Sequence, residues 1–216
     1  MTQKKRKQVS IIGEGYFQPI ANLIEHWLKF PRRKPNAVQS GYYESGYAAS
    51  VILLLVAMFE SYIVRVRYVN RHKIPKNINR ALDVLNHLYP QIRNTKALTE
   101  IYVIRDALIH NHLWEIEYSW GGNPPMKLHG AEKDSGSGDR KFINRVNTKT
   151  RRTKALKLSV VPTRVNRVDT RKIFQTIWKT LLFLESQDRF QCYVSHLHIR
   201  FKGKAILFSD LINELQ

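Results

Sequence analysis

Arg105 and His110 stand with four residues between them in the stretch Thr99–His112, TEIYVIRDALIHNH; Asp106 follows the arginine, and Asn111 and His112 follow the histidine. These residue types suit chemistry at a phosphodiester. A neutral imidazole takes a proton near neutral pH, because its ordinary pKa is about 6.5. A guanidinium is always charged and grips phosphate oxygens through a two-point fork, so it suits a phosphorane on which charge develops. A base for the ribose 2′-OH and a cation at the phosphorus are the two groups that metal-free RNA cleavage needs. Asp106 would orient His110 or hold Arg105. The same residues on a helix also make an ordinary surface ion-pair set with no chemical role.

Helical structure must position them. Ile101, Ile104, Leu108 and Ile109 recur at helical spacing, so a helix capped by Asn94 or Thr95 and running to about His112 buries one face. Arg105, Asp106 and His110 lie on the other. Tyr42–His72 reads as one long helix whose middle, Ala48–Phe59, is apolar nearly all round and therefore central in a bundle. That run ends at Glu60, short of the roughly twenty residues a membrane-crossing helix needs. Glu60 is either salt-bridged, with Arg105 a suitable partner, or exposed at the edge of the core. Further helices are expected at Ile20–Phe30, started by Pro19 and ended by Pro31; at Asn77–Leu88, closed by Tyr89-Pro90; and at Asn166–Ser186, capped by Asp169 or Thr170. Pro31–Ser40 reads as a linker.

Leu113–Trp120 changes to a two-residue period, a strand signal, and the alternating Ala155–Val161 is its natural antiparallel partner. Between them Gly121–Lys154 is rich in Gly, Pro, Ser and basic residues, and is expected to be a flexible basic insertion. Phe190–Phe201 suggests a strand, Lys202–Lys204 a turn, Ala205–Phe208 a returning strand and the last residues a short helix. The organisation is a basic N-terminal segment with one helix (1–40), a helical domain (41–190, with 121–154 inserted) and a C-terminal extension (191–216). The fold class is mainly α, a four- or five-helix bundle with an inserted β-hairpin and a short β-containing extension.

The charge points to a partner. The chain carries 36 Lys and Arg against 17 Asp and Glu, a net charge of +19 over 216 residues. That excess repels itself unless something anionic offsets it, and phosphate contacts by Lys and Arg give affinity without sequence demands. The candidate RNA-binding residues are Arg65, Arg67 and Arg71 on the long helix and Lys149, Arg151, Arg152 and Lys154 in the insertion. One cysteine, Cys192, excludes an internal disulfide framework and a Cys-rich zinc site. His196 and His198 share a strand face, but no carboxylate or cysteine at convincing spacing joins them. No metal or other cofactor is therefore expected. The basic start, Lys4–Lys7, has no apolar run behind it, so the protein is expected to be cytoplasmic, with no membrane partner.

Arg105-Asp106-Ala107-Leu108-Ile109-His110-Asn111 resembles the motif of the HEPN superfamily (higher eukaryotes and prokaryotes nucleotide-binding domains). Its ribonuclease members carry an Arg, often a polar residue next, and a His after four to six intervening residues, late in a helix of an all-α bundle. The resemblance covers roughly Tyr42–Ser186. It implies a HEPN-like bundle and a metal-independent endoribonuclease leaving 2′,3′-cyclic phosphate and 5′-OH ends. It also implies a homodimer with a composite cleft, and often a toxin or antiphage role with an antitoxin or regulatory partner. Arg105 and His110 would be catalytic, with Asp106 and Asn111 supporting. Arg105 to His112 has six intervening residues, satisfies the range too and shares a helix face more closely, so His112 stands as the alternative histidine. Members whose tyrosine is modified by a partner carry His, any residue, then Tyr; here the third position is His112. The rival reading is a basic module that binds nucleic acid or a partner without cleaving.

Overall fold

The computed structural model describes residues 12–32, 42–109, 114–118, 126–131, 144–147, 149–188 and 192–216. The fold is mainly helical, with small antiparallel strand pairs.

The long helix α2 (Tyr42–Val69) is the centre. Ala48, Val51, Ile52, Leu55, Val56, Met58, Phe59, Tyr62, Ile63 and Val66 are all buried. They cover more than one face, so helices pack on several sides: α1 (Phe17–Trp27), α3 (Ala81–Leu88), α4 (Thr95–Ile109) and α5 (Arg167–Gln187). Over Tyr43–Val69 α2 is long and apolar enough, by length and composition, to cross a membrane. Its apolar character extends beyond the Ala48–Phe59 run, and its most apolar window is half buried inside the protein.

Several boundaries differ from the sequence reading, each for a local reason. Helix α1 begins at Phe17, led in by a 3-10 turn at Ile12–Tyr16, and Pro19 sits in its first turn, where an N–H has no intrahelical partner. It ends at Trp27, short of Phe30. There the Arg167 guanidinium takes the carbonyls of Trp27 (3.3 Å) and Phe30 (2.7 Å). Helix α2 stops at Val69 because the Asn70 side-chain amide donates to the Val66 carbonyl (2.9 Å) and the chain tightens into a 3-10 turn at Arg71–Lys73. Helix α3 starts at Ala81, not Asn77: a turn is closed by Ile78 N–H on the Pro75 carbonyl, and Arg80 is extended.

Helix α5 is capped by Asn166, neither Asp169 nor Thr170. The Asn166 side chain accepts from Val168 N–H (2.9 Å) and Asp169 N–H (3.3 Å), and the Asp169 carboxylate accepts from Asn166 N–H (3.3 Å). This reciprocal box satisfies donors that would otherwise be orphaned. Asn166→Ala is expected to lower stability by about 1 kcal/mol, read as a shift in the urea midpoint at unchanged slope.

Strand pairing also departs from expectation. Strand β1 (Trp114–Tyr118) pairs with β2 (Met126–Ala131), not with Ala155–Val161. The observed pairing closes residues 119–125, whereas the expected one would close 119–154, a roughly fivefold longer loop costing roughly 1 kcal/mol more. Ala155 and Leu156 are, besides, held elsewhere: their N–H groups donate to the two oxygens of buried Glu100 on α4 (2.7 and 2.8 Å). Part of the expected insertion is thus built structure, including the short pair β3 (Val146–Asn147) and β4 (Arg152–Thr153); much of its remainder lies outside the described residues.

At the C-terminus, β5 (His198–Phe201) and β6 (Lys204–Leu207) form the expected hairpin through Lys202 and Gly203, both at positive φ (48° and 77°), as a tight hairpin turn requires. The strand is shorter than Phe190–Phe201. Val194 and Ser195 instead give their N–H groups to buried Glu185 (3.3 and 3.0 Å), and Leu197 N–H closes a turn on Val194. His196 consequently lies in a turn, stacked on Tyr193 at 3.5 Å, and does not share a strand with His198. A 3-10 turn (Phe208–Asp210) and α6 (Leu211–Glu214) end the chain. Phe208, Leu211 and Leu215 join the same apolar cluster as α1, α2 and α5.

Candidate active-site cleft

A cleft of about 820 Å³ opens between α2, α3 and α4. Its wall on α2 is Glu60, Ile63, Val64 and Arg67, spaced to fall on one helix face. Its wall on α4 is Thr99, Tyr102, Arg105 and Asp106. The third side is the N-terminal part of α3 with Asn79 and Arg80 before it, and Asn144 reaches the rim.

Arg105 is fixed in this cleft. Its Nη1 meets Glu60 Oε1 at 2.7 Å, and its Nε and Nη2 meet Asp106 Oδ1 at 2.9 and 2.8 Å. Its guanidinium lies 4.8 Å over the Tyr102 ring. The alternative open for Glu60 resolves as an ion pair at the partly exposed edge of the core. Partial burial opposes the Arg105 charge, but the Asp106 hydrogen bond and the Asp106 and Glu60 charges outweigh it and raise the pKa above that of an ordinary arginine. Burial, followed by the Glu60 carboxylate, pushes the Tyr102 phenol well up, so it stays protonated beside the ion pair.

Arg67 lines the same cleft as Arg105, its Nη2 donating to Asn79 Oδ1 at 2.7 Å. The other two basic candidates expected on the long helix are not brought there: Arg65 is on α2, and Arg71 lies in the 3-10 turn after it. Arg65 lies toward buried Tyr62 and Cys192, where its positive charge opposes the rise that burial causes in both. Burial holds the Cys192 thiol up at about 12, so it is an inert packing residue. Arg71 folds back along the end of α2, donating to the Tyr68 carbonyl (3.1 Å) and covering the Tyr68 ring. Lys149, Arg151, Arg152 and Lys154 sit on the segment that Glu100 holds. On α4, Glu100 points roughly 140° away from Arg105 at about 100° per residue. Arg152 is engaged structurally, donating to the Lys157 carbonyl (2.7 Å) and lying 3.8 Å from buried Asp169.

His110, Asn111 and His112 lie outside the described residues; α4 is described to Ile109. The sequence reading did not single out Arg80, Asn79 or Tyr102 as cleft residues. Tyr102 precedes Arg105 by three positions, so helical spacing alone put it on the same wall.

Glu100 sets the position of the basic segment. Glu100→Gln keeps the size but replaces one acceptor oxygen with an NH₂ group facing a backbone N–H. Its expected cost is about 1–3 kcal/mol, measured as a lowered urea midpoint, with faster amide exchange at Ala155 and Leu156.

Comparison of the chain with family models, curated proteins and solved structures finds no match.

Proposed function

We propose that the protein is a metal-independent endoribonuclease of the HEPN type, with α2 to α5 as the HEPN-like bundle. The observation that carries this reading is Arg105 held in an open cleft late in α4, with Arg67 of α2 lining the same cleft. A phosphate entering the cleft would meet a guanidinium already oriented by two carboxylates, and orientation in advance is what makes such a donor effective. His110, with His112 as the alternative, would take the 2′-OH proton. The attacking 2′-oxygen would displace the 5′-oxygen of the next nucleotide, which takes up a proton from water to leave as a 5′-OH, and the phosphate stays behind as the 2′,3′-cyclic diester. Homodimerisation, a toxin or antiphage role and an antitoxin-like partner are carried by the resemblance alone.

One observation favours the rival reading of a binding module: Glu60 and Asp106, two carboxylates, together outweigh the single Arg105 charge. Substrate phosphate would have to draw Arg105 from one of them. The test is incubation of end-labelled RNA with purified protein in EDTA, beside an Arg105→Ala/His110→Ala variant. Cleavage by the wild type alone, with cyclic-phosphate ends, supports the nuclease. Salt-sensitive binding by both proteins without cleavage supports the module.

A further inference from the structure

Between Asp139 and Asp169 the sequence holds no acidic residue. The structure turns Glu100 of α4 and both carboxylates of α5 inward. Glu100 takes the Ala155 and Leu156 N–H groups, Asp169 takes Ser159 N–H (3.2 Å), and Glu185 takes those of Val194 and Ser195; all three are buried. The cations stay outside. Lys149, Lys154 and Lys157 are exposed on the segment, and Lys179 is exposed on α5. Among the described residues none of these four lies in an ion pair.

The segment is tied to α5 at its base. Lys172 on α5 bridges to the segment through its Nζ on the Leu156 carbonyl (2.9 Å). The turn carrying Lys154 and Lys157 is closed by the Arg152 guanidinium on the Lys157 carbonyl and by Leu158 N–H on the Thr153 hydroxyl (3.0 Å). Lys172 and Lys179 are seven positions apart, so they share a face about 10.5 Å apart. Asn144, five positions before Lys149, lines the cleft rim.

We propose that this face, Lys149, Lys154, Lys157, Lys172 and Lys179, is a docking surface for a nucleic-acid phosphate backbone, distinct from the Arg105 cleft and reached from its rim. It binds without reading bases, because lysine ammonium groups are point charges with no fixed fork. An anionic membrane is the poorer fit: among the described residues the exposed apolar side chains beside these lysines, Val168 and Leu182 on α5, stand singly, fourteen positions apart, and form no continuous stripe. The surface gives longer strands an affinity that short ones lack.

The test uses the full chain and a labelled 2′-O-methyl RNA strand, which has no 2′-OH to be cleaved, so binding is read whether or not the protein is a nuclease. Anisotropy is measured from 50 to 200 mM salt for wild type, for Lys154→Ala/Lys157→Ala/Lys179→Ala and for Arg67→Ala/Arg80→Ala. The replaced lysines are exposed, and a thermal melt confirms that each variant folds. The triple variant is expected to bind at least tenfold more weakly at low salt, with the slope of log K against log salt reduced by about 2, since each lost contact removes about 0.7. Unchanged affinity and slope in the triple variant, with the loss confined to the cleft variant, would overturn the proposal. So would patch-dependent binding to phosphatidylserine vesicles without binding to the strand.

Discussion

Arg105→Ala is expected to lower the rate of RNA cleavage by about 100- to 1,000-fold, the usual loss when one oriented donor is removed from a developing oxyanion. The effect should fall on kcat more than on KM, because the guanidinium gains most where charge grows on the phosphorane. Arg105→Lys keeps the charge but cannot form the Nη1 contact to Glu60 and the two contacts to Asp106 at once. It should therefore recover little. Single-turnover cleavage of a short RNA, with thermal melts beside it, separates loss of chemistry from loss of fold. An Arg105→Ala variant that folds and cleaves at the wild-type rate would remove Arg105 from the mechanism.

Phe208→Ala is expected to cost about 3–5 kcal/mol, the range for emptying an aromatic core site. Phe208 is fully buried, with its ring 4.4 Å from Phe17, 4.9 Å from Phe174 and 5.6 Å from Trp178. It thus ties the last residues of the chain to α1 and α5 together. A domain of this size holds only about 5–15 kcal/mol of stability, so the variant should melt far lower or be recovered largely unfolded. Phe208→Leu keeps much of the volume and should cost less. An unchanged melt for Phe208→Ala would mean that the C-terminal turn is peripheral to the core.

The helices were legible because burial imposes a period, and the long apolar run of α2 can be satisfied only by neighbours on several sides. What escaped was set by contacts distant in sequence. Nothing near Phe30 says that Arg167 will cap its carbonyl, and nothing near Ala155 says that Glu100 will take its N–H group. The Asn166 cap was readable in principle, since Asn followed three positions later by Asp fits a capping box, but Asp169 and Thr170 are cap-forming residue types too and residue type alone does not separate them. In the cleft, Arg105, Asp106 and the option of Glu60 came from residue type and helical spacing. That Arg67 lines the cleft with Arg105 while Arg65 does not follows from which face of α2 meets α3 and α4, and Arg71 is removed by the helix ending at Val69; among three nearby arginines composition cannot decide it.

The central claim is that RNA is cleaved by attack of its own 2′-OH, assisted by Arg105 and without a metal. A DNA strand carrying a single ribonucleotide, incubated with the full chain in excess EDTA, tests it most directly. Cleavage only on the 3′ side of that ribonucleotide, leaving a 2′,3′-cyclic phosphate and a 5′-OH and lost in Arg105→Ala, is the predicted result. Cutting at deoxynucleotides, 5′-phosphate ends, or an intact strand under conditions where an all-RNA strand is also left intact would contradict it.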